Sequence, residues 1–203
     1  MGNGSKIIYY SKPDMYGRKF QCSKRTAAHL DRTFARLAKK AEKDGKKYTL
    51  QIIQPSFNTG VSASAGTHDY DAVFDVKIVG MTWAAAQKWL RQQGWAAWWR
   101  KPPTFSDHIH MVSLPDYMLE FVARVGIYVP GQVQDYYAKK DGLASHAPDA
   151  TWHPKDIKAT IFDYAAYEEA LSLRQKANRL LRRITDAKTL LEKTRRALKR
   201  LQS

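Results

Sequence analysis

The sequence predicts a compact α+β domain followed by a long basic helix, and three observations carry that prediction. Strand-like alternation and helix-like periodicity follow one another through about residue 142. Pro, Gly and turn clusters punctuate this first part, whereas no Pro or Gly occurs from Phe162 to the end. The charge shifts as well: from Leu173 onward eleven basic residues face only Asp186 and Glu192, a balance of +9 out of +15 for the whole chain. The boundaries read as a domain over 1–160 and a helix over 161–203.

The elements follow in order. Residues 23–45 read as an amphipathic helix, with Ala27, Leu30, Phe34, Leu37 and Ala41 at helical spacing, Ser23 capping the start and Gly45 ending it. His29 lies beside that stripe and reads as a surface or boundary residue. Residues 47–54 alternate and are rich in β-formers, which predicts a strand. A loop of Pro, Gly, Ser and Asn spans 55–66. A second strand covers 71–79, with Asp69 and Asp71 read as turn residues before and at its start. Thr82 caps a helix over 83–93 that Gly94 closes. "WAAWWR" (95–100) is an aromatic strand, and "HIHMVSL" (108–114) is another after the turn "KPPTFSD". Helices are expected over 117–126, started by Pro115 and Asp116, and over 131–142. In the last segment Leu173, Ala177, Leu180, Ile184, Ala187, Leu191, Thr194, Leu198 and Leu201 alternate in steps of four and three, a heptad seam.

Composition excludes several classes. With 44% hydrophobic and 12% aromatic residues in 203, the chain can bury a real core and is not a disordered polyelectrolyte. A single cysteine, Cys22, rules out an intrachain disulfide and a Cys-rich zinc site. The first residues lack the apolar core of a secretory signal, and no stretch approaches the roughly 20 apolar residues of a membrane helix. The excess of positive charge favours a polyanionic partner: nucleic acid, an anionic membrane face or an anionic wall polymer.

Candidate chemistry is concentrated in two segments, "SAGTHDYDAVFDV" (64–76) and "DHIHMV" (107–112). In a strand, residues two apart share a face, so His108 and His110 point together while Ile109 faces the core. If the strand bearing Asp75 lies beside this one, His68, Asp75 and His110 converge. Two imidazoles and a carboxylate are a common ligand set for catalytic zinc, with a fourth position left for water. Asp107 precedes the pair and is the candidate for the carboxylate that takes the water's proton. His108, if not a ligand, can donate to a developing oxyanion. The competing reading is that an HxH strand is half-buried and merely hydrogen-bonded. Among the tryptophans, most read as core or cleft wall, and alternation lets only one of Trp98 and Trp99 face a groove. His146 and His153 fall in a Pro/Ala/Asp loop and read as solvated.

These segments resemble the zinc D-alanyl-D-alanine carboxypeptidases and L-alanyl-D-glutamate endopeptidases, which cut bacterial cell-wall stem peptides and share their fold with Hedgehog signalling domains. The signature of that family is a His, an Asp seven residues on, and an acidic residue three before a final His. Here the pairs are His68 with Asp75 and Asp107 with His110. "SFNTGVSASAGTHD", "GWAAWWR" and "GLASHAPDATW" are similar to segments of actinobacterial and actinobacteriophage proteins, so the resemblance covers roughly residues 25–153. It implies a small antiparallel sheet with flanking helices. It also implies Zn²⁺ held by His68, Asp75 and His110, with Asp107 as general base. "HIH" resembles the Hedgehog-like branch, which implies His108 beside the metal-bound water. The chain departs from the family at Gly66, often Ser, at Asp71, often Gly, and at Asp107, more often Glu. Gln54, Ser62 and Ser64 are candidates for holding the substrate carbonyl.

The expected function is therefore a zinc metallopeptidase of peptidoglycan stem peptides, a phage endolysin or virion-associated lysin. The expected location is the host cytoplasm and then the wall, or the virion. The alternative is a non-catalytic virion or tail component that keeps the zinc fold. The basic helix is expected to self-associate or to pack on the domain, with virion proteins as further partners, or to adhere to an anionic wall polymer or membrane surface. Nucleic-acid binding, suggested only by charge, is the second alternative and predicts salt-sensitive binding that is lost with residues 171–203.

Overall fold

The computed structural model describes residues 6–58, 67–114, 128–143, 145, 147–149 and 164–201. The chain divides into two compact units, Met1–Asp163 and Tyr164–Ser203. The helix expected over 117–126 lies outside the described residues, as do Ser62, Ser64, His146 and His153.

The first unit is α+β. Its elements are β1 (Ile7–Tyr9), β2 (Gln21–Ser23), α1 (Lys24–Asp44), β3 (Thr49–Gln54), β4 (Val73–Val79), α2 (Trp83–Arg91), β5 (Trp95–Arg100), β6 (His108–Ser113) and α3 (Tyr128–Tyr137). β1 and β2 form an antiparallel ribbon that the sequence reading did not anticipate, because three-residue strands carry too little alternation to recognise. The main sheet is antiparallel throughout, in the order β3-β4-β6-β5.

Alternation along these strands separates two faces. One sends Leu50, Ile52, Phe74, Val76, Ile78, Trp95, Ala97, Ile109 and Met111 into a core with Leu30 and Leu37 of α1 and Ala86 and Leu90 of α2. Each large apolar side chain so buried contributes about 1.5–3 kcal/mol. The other face sends Val73, Ala96, Trp98 and Val112 toward Val133 and Tyr136 of α3. The titratable residues of interest lie on this second face.

Local chemistry fixes the helices. The Ser23 hydroxyl accepts from the Thr26 N–H at the start of α1, and Gly45 ends it at φ 61° with its N–H on the Ala41 and Glu42 carbonyls. The Thr82 hydroxyl accepts from the Ala85 N–H, as expected, but Gln92 rather than Gly94 is the closing residue of α2. α3 begins three residues before the expected 131 and stops at Tyr137, because Lys139 turns to φ 64° and Lys140 bridges to Pro148.

Two expectations about polar residues are corrected. His29 is fully buried rather than at the surface. Its ring stacks on Trp95 at 3.9 Å, with Nδ1 2.6 Å from Ser113 Oγ and Nε2 2.7 Å from the Gln93 carbonyl. A carbonyl only accepts, so Nε2 carries the hydrogen and the neutral ring is satisfied at both nitrogens. Burial, with Arg32 and Arg36 nearby, pulls its pKa down to about 3 although the Gln93 bond opposes the shift. Asp71 is a buried anchor and not a simple turn residue. Its carboxylate accepts from the Ser23 N–H at 3.0 Å and the Thr26 hydroxyl at 2.9 Å, tying the start of α1 to the turn before β4.

The second unit is α4 (Tyr164–Leu201), a helix of 38 residues. Its described side chains are exposed, including Leu173, Leu180, Ile184 and Leu191 of the seam.

Candidate metal centre

The register of the two central strands builds the site. β4 and β6 are neighbours, and Asp75 lies directly opposite His110. Directly opposed residues project from the same face, so the carboxylate and the imidazole meet without any loop having to deliver them. His68 arrives from outside the sheet on a single 3₁₀ turn, Thr67–Asp69. That turn and the start of β4 are fastened to residues 55–58: Asn58 N–H donates to the His68 carbonyl at 3.0 Å, and Ser56 Oγ exchanges bonds with Val73 N and O.

The three side chains converge on one oxygen. His68 Nε2 lies 3.2 Å and His110 Nδ1 lies 2.9 Å from Asp75 Oδ1. The ligand atoms of the three buried residues all lie within 4.8 Å of one another, close enough to hold a metal ion. A tetrahedral centre with bonds of about 2.0–2.1 Å keeps its donor atoms about 3.3 Å apart. Two of the three separations are near that value, and all three donors are close enough to hold a metal ion.

The remaining ring nitrogens support the same reading. His68 Nδ1 is 3.3 Å from the Pro55 carbonyl. A carbonyl accepts only, so Nδ1 carries the hydrogen. Nε2 faces the Asp75 carboxylate, which is also only an acceptor, so it is the nitrogen at which an ion would take the place of a proton. His110 Nε2 is 3.1 Å from Gln132 Oε1, and Gln132 Nε2 donates to the Gly142 carbonyl at 3.3 Å. That second bond fixes which end of the amide faces His110 and leaves Nδ1 for the centre. Ligand histidines commonly donate their outer N–H to such carbonyl acceptors, which sets tautomer and ring orientation.

A further layer holds Gln132 and Gly142. Arg100 donates to the carbonyls of Asp141, at 2.8 Å, and Gly142, at 3.3 Å. Trp98 Nε1 donates to the Lys140 carbonyl at 2.9 Å, and its ring stacks on His110 with centroids 6.2 Å apart. Gly142 has φ 65°, and a Cβ there would meet Trp98 Cζ2 at 2.8 Å, so only glycine fits. Arg91 of α2 adds a buried ion pair with Asp149 at 2.5 Å.

Burial shapes the electrostatics. It raises the Asp75 pKa, but the hydrogen bonds from His110 and His68, with their charges, outweigh it and hold the carboxyl well below the ordinary range. Asp75 therefore stays an anion in the cluster. Burial lowers the His110 pKa, against the opposing pull of Asp75.

The remaining candidates separate. His108 faces the cluster, with Nε2 3.6 Å from Asp75 Oδ2 and Nδ1 2.7 Å from the Ser106 carbonyl. Its Nδ1 therefore holds the hydrogen, and Nε2 is the nitrogen turned toward the cluster. Asp107 is not brought to the three ligands. Its Oδ1 accepts from Trp99 Nε1 at 2.9 Å, and Trp99 stacks on Trp83 of α2, on the opposite face of the sheet. Of the two tryptophans, Trp98 faces the site and Trp99 does not. Gln54 lies opposite Asp75 in the β3–β4 register. Gln132, Arg100 and Ser56 were missed in the sequence. Gln132 sits in a recognised helix, but only the tertiary contact reveals its partner.

No protein-family model, no curated protein and no solved structure matches the chain.

Proposed function

We propose that the chain is a zinc-dependent peptidase of peptidoglycan stem peptides, with the fold type of the Hedgehog-like carboxypeptidases and endopeptidases that its motifs resemble. One observation carries the reading: a buried His68–Asp75–His110 set in which each imidazole donates its outer N–H to an oxygen and turns its other nitrogen inward. Structural zinc sites usually close all four positions with Cys and His, whereas three ligands of this kind leave one open. Zinc bound there supplies Lewis acidity and lowers the pKa of a water.

The chain's own groups then divide the work. Asp75 stays ionised and offsets the ion's charge. Gln132 and Pro55 hold the two rings in orientation. His108 Nε2 lies 3.6 Å from Asp75 Oδ2, whereas Asp107 is bonded by Trp99, so we give His108 the proton-handling role ahead of Asp107. Hydrolysis adds water across the amide: the hydroxyl joins the carbonyl carbon and the proton passes to the leaving amine. A phage lysin or virion-associated lysin fits this activity. The cationic surface of α4 suits an anionic wall polymer or membrane face.

The test is mass spectrometry of purified peptidoglycan incubated with the protein, with chelator and with zinc restored. Chelator-sensitive release of defined stem-peptide fragments is expected. No release from several wall types would refute the activity. One observation favours a second reading, a non-catalytic virion module that keeps zinc: the Asp107 carboxylate is engaged by Trp99 and not by the cluster. That reading predicts one bound zinc and no cleavage.

A further inference from the structure

The β1–β2 ribbon and the segment after β3 enclose a cleft that the metal centre does not use. Tyr9, Asp14, Arg18 and Lys19 line it from the ribbon and its loop, and residues 55–58 line it from the end of β3. Backbone bonds fix the loop: Met15 N–H donates to the Ile52 carbonyl at 2.8 Å, and Tyr10 N–H to the Phe20 carbonyl at 3.0 Å. The Asp14 carboxylate accepts from the N–H groups of Tyr16 and Arg18 and from Arg18 Nε, the last at 2.6 Å. Residues 55–58 are shared with the metal centre. The Pro55 carbonyl accepts from His68 Nδ1, and Asn58 N–H donates to the His68 carbonyl. Phe57, between them, is held at φ 53°. A bulky residue in that region is strained, and such strain collects at ligand clamps. The ribbon lies before residue 25, outside the stretch that the family resemblance covers, so the family signature assigns no role to it.

The chemistry of the lining points to an anionic ligand. Two cations, Arg18 and Lys19, stand against one anion, Asp14. Asp14 is buried and is already paired with Arg18 through Nε, so it offsets one positive charge and leaves the other. Among the described residues no carboxylate lies in ion-pair range of Lys19. Exposed apolar groups gather at the same place. Six large apolar side chains are exposed in the described part of the first unit, and four of them, Ile7, Tyr9, Met15 and Tyr16, belong to β1 and the loop after it. An apolar patch beside fixed charges marks a binding surface. The cleft volume is about 250 Å³. That is below the range of about 300–1,000 Å³ for sites that take a whole small molecule, so the cleft suits one residue of a longer chain. We infer that it is a subsite for an acidic residue of the peptide substrate, with Arg18 and Lys19 holding that residue's carboxylate. The inference rests on the peptidase reading above and adds a substrate class to it: stem peptides whose D-Glu carboxylate is free and not amidated. A five-residue peptide spans up to about 18 Å, enough to run from the metal centre to a cleft that shares Pro55 with it.

The experiment uses two synthetic stem pentapeptides that differ only in the D-Glu group, a free carboxylate in one and a carboxamide in the other. Both contain the L-Ala–D-Glu and the D-Ala–D-Ala bonds. Wild type should show a KM about tenfold lower for the carboxylate form, with the two kcat values alike. That is the low end for a charge-assisted bond, because the Arg18 side chain is 55% exposed. The gap should narrow as salt is added, since exposed charges are screened. Lys19→Met should shrink it, and Lys19→Glu should abolish or reverse it. Arg18→Gln should shrink it too, but it also breaks the pair with Asp14, so the Lys19 variants decide if it fails to fold. Equal KM values for the two peptides in an active wild type overturn this inference alone. So does a preference that survives Lys19→Glu. A Lys19 variant that loses kcat on both peptides equally would show that the lysine supports the fold or the metal centre, and would also overturn it. An inactive wild type removes the peptidase reading and this inference with it.

Discussion

Substituting Gln132 by Leu tests whether the layer around the candidate ligands does what its geometry says. Leu has a similar volume and fits a side chain that is only 9% exposed. The change removes the acceptor of His110 Nε2–H, at 3.1 Å, while Arg100 still satisfies the Gly142 carbonyl. His110 is 5% exposed, so water cannot fully replace the lost partner. An orphaned buried donor costs about 1–3 kcal/mol. The metal-free protein should lose that much stability in urea melts. Freed of its anchor, the ring also samples orientations in which Nδ1 no longer faces Asp75. Removing such a partner lowers metal affinity by about 10- to 100-fold, or about 1.4–2.7 kcal/mol. Competition against a chromophoric chelator measures this directly. Gln132→Glu retains an acceptor for His110 and should recover most of the affinity. The reasoning fails if Gln132→Leu binds zinc as tightly as wild type, or if Glu and Leu behave alike.

Other predictions follow from neighbouring features. His29 titrates near 6.5 when unfolded and near 3 when folded, so the unfolded state binds its proton first on acidification. Its contribution is complete above pH 6.5 and is lost as pH falls toward 3, at up to about 1.4 kcal/mol per pH unit. His29→Phe should lack that slope in urea titrations between pH 6.5 and 4, and parallel curves for the two proteins would contradict the assignment. Gly142→Ala forces a Cβ into the left-handed region, at about 1–2 kcal/mol, and against Trp98, at about 1–3 kcal/mol more. Thermal melts should show both the destabilisation and a weakened response to zinc. His108→Ala should lower kcat by about 100- to 10,000-fold if this group handles the proton, whereas Asp107→Asn should act mainly by weakening the bond that Asp107 accepts from the Trp99 Nε1–H. A large kcat loss in Asp107→Asn with His108→Ala fully active would reverse the two roles.

How much of this was legible in the sequence depends on the range of the interaction. The HxH spacing alone put His108 and His110 on one face, because strand alternation is local. The caps Ser23, Gly45 and Thr82 were legible for the same reason. That Asp75 meets His110 required β4 and β6 to be neighbours with β5 outside them, and no local pattern encodes strand order. Asp71 anchors Ser23 from 48 residues away, and His29 gains its partners from 64 and 84 residues away. A helix stripe that places His29 at its border cannot show that Trp95 will lie flat against it. Gln132 and Arg100 were invisible because their partners, His110 and the carbonyls of Asp141 and Gly142, come together only in the tertiary fold. The turn of Asp107 toward Trp99 depends on which side the indole takes, which follows from the β5–β6 register and not from the spacing to His110.

The central claim is that His68, Asp75 and His110 bind one zinc ion. Equilibrium dialysis against zinc, with metal content read by plasma mass spectrometry, tests it on wild type, His68→Ala and Asp75→Ala. The account predicts one zinc per chain in wild type and none retained by either variant, with circular dichroism showing both still folded. Absence of stoichiometric zinc in wild type, or zinc that survives loss of Asp75, would contradict it.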